Sequence, residues 1–167
     1  MADPAPRIRF AMEADVPLLL GFIRDLADYE KLVHLVEADE DRLRRTLFGD
    51  IPRAEALIAE MDGRPAGFAL FFHSYSTFLA KPGLYLEDLY VSPEYRGQGL
   101  GKALLKRLAA LAVERDCGRF EWSVLDWNED AIGFYRALGA RPVEGWTVYR
   151  VDGAALTALA EGGKDIS

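Results

Sequence analysis

The segment Tyr95-Arg96-Gly97-Gln98-Gly99-Leu100-Gly101-Lys102 follows a strand-like run and precedes a long stretch with apolar residues at helical spacing. Its three glycines stand at alternate positions, and glycine both accepts positive φ angles and allows close approach of a ligand. A loop of this kind can point several backbone N–H groups at a phosphate, with the dipole of the following helix adding about half a positive charge. The sequence therefore predicts a phosphate-binding loop, to which Arg96 and Lys102 could add charge. The alternative is a glycine turn that only starts the helix.

Two common phosphate-binding loops do not fit this spacing. A P-loop requires G-x-x-x-x-G-K-[ST], and the dinucleotide fingerprint requires G-x-G-x-x-G. The residues match R-x-x-G-x-G instead, through Arg96, Gly99 and Gly101. The loop therefore indicates a different phosphate-bearing ligand.

The composition of the chain limits the possible functions. Its 167 residues, 50% of them hydrophobic, predict one domain over residues 1–167 with a core at about 7–160. A net charge of −7 argues against nucleic-acid binding, which requires clustered Lys and Arg. An acidic surface fits a cationic substrate, although it also fits simple solubility.

Targeting and metal-binding signals are lacking in the sequence. The first ten residues contain no apolar signal segment, and no apolar run approaches the roughly 20 residues of a membrane span, so we expect a cytoplasmic protein that does not bind membranes. The single cysteine, Cys117, and two separated histidines, His34 and His73, offer no metal-ligand spacing. We therefore expect no metal cofactor.

Hydrophobic periodicity outside the loop predicts an α/β (α+β) fold with a mixed sheet and packed helices. Asp62-Gly63 indicates a hairpin turn. The predicted strands cover Arg7–Phe10, Ala54–Met61, Pro65–Tyr75, Leu84–Val91, Phe120–Leu125 and Trp146–Val151. The predicted helices run from Asp15 to about Lys31, and over Ala38–Phe48, Leu100–Arg115 and Asp130–Leu138.

Two longer segments extend the motif: LYLEDLYVSPEYRGQGLG at residues 84–101 and NEDAIGFYRALGA at residues 128–140. In this order and spacing they resemble the general N-acetyltransferase (GNAT) superfamily, and the resemblance covers nearly the whole chain. It implies a twisted, mostly antiparallel sheet with helices on both faces and a splayed central strand, acetyl-CoA as cosubstrate, and a homodimer. The coenzyme-binding residues it implies are Leu89, Tyr90, Val91, Arg96, Gly97, Gln98, Gly99, Leu100, Gly101, Lys102, Asn128, Asp130, Ala131 and Tyr135.

The resemblance also implies the groups that move protons. Tyr135 lies where the family tyrosine approaches the thioester sulfur, and a phenol with a pKa near 10 stays protonated to serve as a general acid. An attacking amine must lose a proton, and Glu87 is predicted to anchor the substrate and act as base, directly or through water. The alternatives are a packing role for Tyr135 and an ion pair with an arginine for Glu87. Alternation along a strand predicts that Glu87 and Asp88 face opposite sides of the sheet.

Within the superfamily the chain is most similar to the spermidine/spermine N-acetyltransferase group. The similar stretches are LADYE at 26–30, YLED at 85–88 and EGW at 144–146. They imply a substrate-binding set of Tyr29, Glu30, Glu87, Asp88 and Glu144. Carboxylates suit a cationic acceptor, and Tyr29 could add a cation–π contact. We therefore predict acetyl transfer to a polyamine, a diamine or a thialysine- or lysine-like amino acid by direct attack in a ternary complex. Protein lysines, protein N-termini or a non-catalytic acyl-CoA-binding role are alternatives.

Overall fold

The computed structural model describes residues 5–162. The chain divides into two units, one ending at Ser123 and one beginning at Val124, and each is described by itself. One domain over residues 1–167 therefore stays a prediction, and both ends of that range lie outside the described residues.

A five-stranded sheet forms the first unit. Its spatial order follows the chain, with neighbouring strands antiparallel except for the last pair, which is parallel. The predicted hairpin turn is confirmed, since Asp62 and Gly63 have φ angles of 52° and 74°. The strand predicted over Phe120–Leu125 ends three residues earlier, at Trp122. The strands are β1 Arg7–Phe10, β2 Glu55–Met61, β3 Arg64–Ser76, β4 Lys81–Val91 and β5 Phe120–Trp122.

Helices cover both faces of this sheet. On β2, Ala56 and Ile58 pack with Phe68 and Tyr90 against apolar residues of α1 and α2. Leu57, between them, is fully buried and points to the opposite face, where α3 packs on the strands. The predicted helices are confirmed with small shifts at their ends: α1 is Val16–Tyr29, α2 is Glu40–Phe48 and α3 is Leu100–Glu114.

Strand β4 has two irregular features near the glycine loop. It pairs with β5 only from Leu84 to Leu86, whereas its pairing with β3 continues to Val91. The register against β3 also shifts, because Leu86 lies opposite Phe71 and Asp88 lies opposite the preceding residue, Leu70. Glu87 is therefore the extra residue of a β-bulge. The second half of β4 has one side free of ladder partners among the described strands, as a splayed central strand requires.

Gly67 permits the close approach of β3 to β4 beside the loop. A Cβ atom at Gly67 would lie 2.4 Å from the carbonyl oxygen of Tyr90, which is backbone and cannot rotate away. We therefore expect Gly67→Ala to lower the free energy of unfolding by about 1–3 kcal/mol, measured by urea denaturation. Gly21→Ala is the matched control, because Gly21 lies within α1 with nothing within 4 Å of its Cβ position, and alanine should stabilise a helix interior there. Equal effects of the two changes would contradict the close-approach argument.

The second unit contains α4 at Glu129–Ala137 and α5 at Gly153–Ala160. The predicted strand Trp146–Val151 is wrong: residues 146–152 have no regular structure. A strand requires a hydrogen-bonding neighbour, and no other strand is present among the described residues of this unit. Helix α5 was not predicted, although Asp152 before an Ala- and Leu-rich run is a typical signal for a helix start.

Candidate active site

The glycine loop adopts the conformation that its sequence predicts. Gly97 and Gly99 have φ angles of 76° and 82°, and Gly99 is the N-cap residue of α3. A Cβ at either position would meet nothing within 4 Å, so the backbone angle and not crowding explains these two glycines. The Gly99 carbonyl accepts a hydrogen bond from Ala103 N at 2.9 Å, and the buried Leu100 side chain anchors the start of the helix.

The start of α3 fits a phosphate group. The N–H groups of Leu100, Gly101 and Lys102 precede the first intrahelical hydrogen bond, so the helix leaves them available to a ligand. A Cβ at Gly101 would meet only Val91 Cγ2, at an ordinary contact distance of 4.0 Å, and Gly101 has no positive φ angle. Close packing within the protein therefore does not demand a glycine at 101. A ligand that approaches the backbone closely, such as the pyrophosphate of coenzyme A, would.

Arg96, predicted to add charge to the loop, also has partners within the protein. Its guanidinium carbon lies 5.2 Å from the centre of the Tyr29 ring and 5.6 Å from that of Tyr90, and its Nε donates to the Val91 carbonyl at 2.9 Å. The Tyr29 ring, expected to bind a substrate cation, therefore already contacts a cation of the protein. The Gln98 side chain donates to the carbonyl of Glu94 at 3.3 Å.

The N–H groups of Leu89, Tyr90 and Val91, predicted to bind the coenzyme, point to different sides of β4. Ser92 N donates to Ala66 O at 2.8 Å, and the Tyr90 carbonyl faces Gly67, so both residues direct their polar groups toward β3. Alternation then turns the N–H groups of Leu89 and Val91 toward the side where β4 continues beyond β5. These two N–H groups are placed to meet a ligand, whereas that of Tyr90 is directed into the sheet.

Three carboxylates near the bulge are linked electrostatically, since the charges of Glu87 and Glu30 act on Asp88. Burial, together with the charges of Glu87 and Glu30, raises the pKa of Asp88 from 3.8 to about 6. Burial also raises the pKa of Glu30, the residue after the end of α1. We call Glu30, Glu87 and Asp88 the acidic group. The repulsion that Glu87 and Glu30 exert on Asp88, with the partial burial of Asp88 and Glu30, makes the charged state of the group costly, and a bound cation would relieve that cost.

The remaining predicted site residues belong to the second unit, where only their local structure is described. Asn128 caps α4 by accepting from Ala131 N at 3.3 Å, and Asp130 lies in the first turn. The Tyr135 ring lies 5.7 Å from that of Phe134, and Glu144 occupies a turn. Their approach to the coenzyme or the acceptor stays a prediction.

Sequence reasoning missed the bulge and therefore the environment of Asp88. By register, Asp88 lies on the same face as Leu70 and Tyr90, which pack toward α1, and there the charge of Glu30 raises its pKa. Strict alternation does not apply at Glu87, because the bulge removes it from the ladder. Two adjacent acids in an otherwise apolar strand were the signal for this irregularity.

The described residues lack two further features. Residues 5–162 include no cluster of three His, Cys, Asp or Glu side chains arranged to hold a metal ion. No helix in the same range is long and apolar enough to cross a membrane.

Comparison with known proteins places the chain in a family. Thialysine N-epsilon-acetyltransferase from Bos taurus is 42% identical over 164 residues, covering 92% of this chain and 96% of that protein. L-ornithine N5-acetyltransferase from Arabidopsis thaliana is 34% identical over 198 residues, covering 92% and 87%. Among solved structures, an integron cassette protein from the mobile metagenome of V. cholerae has a TM-score of 0.79 at 26% identity and covers 93% and 98%. The Acetyltransferase (GNAT) family profile matches residues 22–140, and the chain therefore belongs to the GNAT family of acetyltransferases.

Proposed function

We propose that this acetyltransferase transfers the acetyl group of acetyl-CoA to the terminal amine of a small acceptor that carries a second cationic group. The observation that carries the proposal is the acidic group of Glu30, Glu87 and Asp88. Three carboxylates exceed what one reacting amine requires, because that amine must be neutral when it attacks. A second ammonium on the acceptor would neutralise the remaining charge. The thialysine and ornithine enzymes among the relatives are named for acceptors of this type.

The chain offers two sets of groups to hold the coenzyme. The N–H groups at the start of α3 would bind its pyrophosphate, and those of Leu89 and Val91 would bind the pantetheine arm and polarise the acetyl carbonyl. When bound, acetyl-CoA supplies an activated acyl group as a thioester. By resemblance the set includes Arg96, Gly97, Gln98 and Lys102 in the loop, and Asn128, Asp130 and Ala131 in the second unit.

Proton movement is assigned to a carboxylate and a phenol. Glu87, or a water that it holds, takes the proton from the acceptor ammonium, and Asp88 and Glu30 hold the second cation. Tyr135 donates a proton to the leaving sulfur. The homodimer and the substrate contact of Glu144 stay predictions based on the resemblance. The cytoplasmic location stays a prediction based on the lack of targeting signals in the sequence.

A thiol-release assay with matched amines tests the proposed acceptor. Putrescine and butylamine have the same carbon chain, but only putrescine has a second ammonium. We expect kcat/KM to be at least about tenfold higher for putrescine, and also for thialysine and ornithine, because the acidic group adds one charge–charge interaction. Equal values for putrescine and butylamine would contradict the role of the acidic group. Activity only on peptides would indicate a protein acceptor instead.

A further inference from the structure

Arg96 lies where three parts of the first unit meet. Its backbone immediately precedes Gly97, the first glycine of the loop, and its Nε holds the Val91 carbonyl at the end of β4. Its guanidinium contacts the rings of Tyr90 and of Tyr29, the last residue of α1. One side chain therefore connects the glycine loop to the end of α1 and to β4, the strand that bears Glu87 and Asp88.

The contact with Tyr29 lies next to Glu30, one member of the acidic group. Glu30 follows Tyr29 in the chain, and the charge of Glu30 raises the pKa of Asp88. The next residue, Lys31, has a positive φ angle of 61°, so the chain turns sharply after Glu30. The place of the Glu30 carboxylate therefore depends on how firmly the last turn of α1 is held, and Arg96 contributes one of its contacts.

We propose that Arg96 is a positioning residue that couples the glycine loop to the acidic group, so that coenzyme and acceptor strengthen each other's binding. The proposal rests on the proposed function. A coenzyme in the loop fixes the backbone at Arg96, and the stacked guanidinium then holds Tyr29 and Glu30 in the arrangement that binds the acceptor. Linkage requires the acceptor to improve coenzyme binding by the same factor.

Binding measurements in a crossed design test this role. Calorimetry with free coenzyme A gives its Kd with and without saturating thialysine, and we expect the acceptor to tighten coenzyme binding about fivefold in the wild type. Tyr29→Leu removes the ring without altering the loop, yet it should weaken coenzyme binding about twofold to fivefold with no acceptor present. Arg96→Met should abolish the coupling. In the variant that combines Tyr29→Leu with Arg96→Met, the two losses of coenzyme affinity should not add.

Tyr29→Phe and Arg107→Met are the controls. Tyr29→Phe keeps the ring and should retain the coupling. Arg107 stacks on Phe10 with its guanidinium carbon 5.8 Å from the ring centre, away from the loop, so Arg107→Met removes a similar cation–π contact and should leave both Kd values unchanged. Thermal unfolding identifies any variant that fails to fold.

Each other outcome overturns the proposal in a distinct way. If Arg96→Met weakens coenzyme binding while Tyr29→Leu does not, Arg96 is only a phosphate ligand. If Tyr29→Leu affects only the acceptor, Tyr29 is only a substrate contact. If the wild type acetylates thialysine without any coupling, this inference fails and the proposed function stands. If no amine with a second cation is acetylated, the proposed function itself fails.

Discussion

Replacing Tyr135 with phenylalanine should lower kcat by about 10²-fold or more. A proton donor at sulfur assists expulsion of the thiolate from a thioester, and the substitution removes only the phenolic oxygen. The ring that packs beside Phe134 remains, so α4 should keep its structure. The measurement is steady-state thiol release at saturating acetyl-CoA and putrescine.

Coenzyme affinity distinguishes catalysis from packing at this position. The Kd for coenzyme A should change less than about threefold in Tyr135→Phe, because only a transition-state interaction is lost. Phe134→Leu is the matched control, since it alters the neighbouring ring without removing a proton donor. A kcat within about twofold of the wild type would remove Tyr135 from the mechanism, and a parallel loss in Phe134→Leu would indicate a packing role.

Combining Glu30→Gln with Asp88→Asn should lower kcat/KM for putrescine by about 10²-fold or more while making the protein more stable at neutral pH. Two carboxylates that would hold a cation are lost, and each charge–charge interaction near a protein surface is worth a few kcal/mol. The same charges repel each other in the free protein. Butylamine, without a second cation, should lose much less activity.

The stability gain should depend on pH in a defined direction. The folded-state pKa of Asp88 is about 6 against an ordinary value of 3.8, so folding binds a proton at this carboxyl more tightly than the unfolded chain does. The resulting stability is fully present below about pH 3.8 and is lost as pH rises through about 6. Asp88→Asn should therefore unfold with a free energy about 2–3 kcal/mol higher than the wild type above pH 7, and the difference should vanish near pH 4.

Urea denaturation at a series of pH values measures this difference. Asp116→Asn is the control, because Asp116 forms an exposed ion pair with Lys81 at 2.9 Å and lies outside the acidic group. It should cost stability slightly at neutral pH and leave the kinetics unchanged. A stability loss in Asp88→Asn at pH 7 would mean that the acidic group already has a compensating partner within the protein.

Most of the fold was predictable from local pattern. Alternating apolar residues with the Asp62-Gly63 turn identify the β2–β3 hairpin, and apolar spacing from Leu100 identifies α3. These elements bury the side chains that produce the pattern. The segment 146–151 has the composition of a strand but forms none, because a strand depends on a neighbour that local pattern does not specify.

The site was predictable in residue types but less so in arrangement. The motif R-x-x-G-x-G identifies the loop, and its glycines take the expected angles. The stacking of Arg96 on Tyr29 joins positions 67 residues apart in the sequence, and no local pattern predicts such a pair. The bulge at Glu87, which turns the following side chains to the other face of the sheet, was also missed. A bulge depends on the register with the neighbouring strand, which local pattern does not specify.

The bulge at Glu87 also exchanges the two faces of β4, so that alternate side chains point one way before it and the other way after it. Before it, Leu84 and Leu86 are buried, and Leu86 lies opposite Phe71 on the α3 face; after it, Asp88 and Tyr90 lie on the α1 face. With uninterrupted alternation, those four residues would share one face, and a carboxylate would enter the apolar interior beneath α3. The sheet can therefore accept a substitution at position 87 far more easily than a deletion. A deletion would move the residues after it to the opposite face of the strand, so that interior positions and candidate-site positions would exchange. In this enzyme the spacing along β4, as much as the identity of any one residue, keeps charge out of the core and in the site.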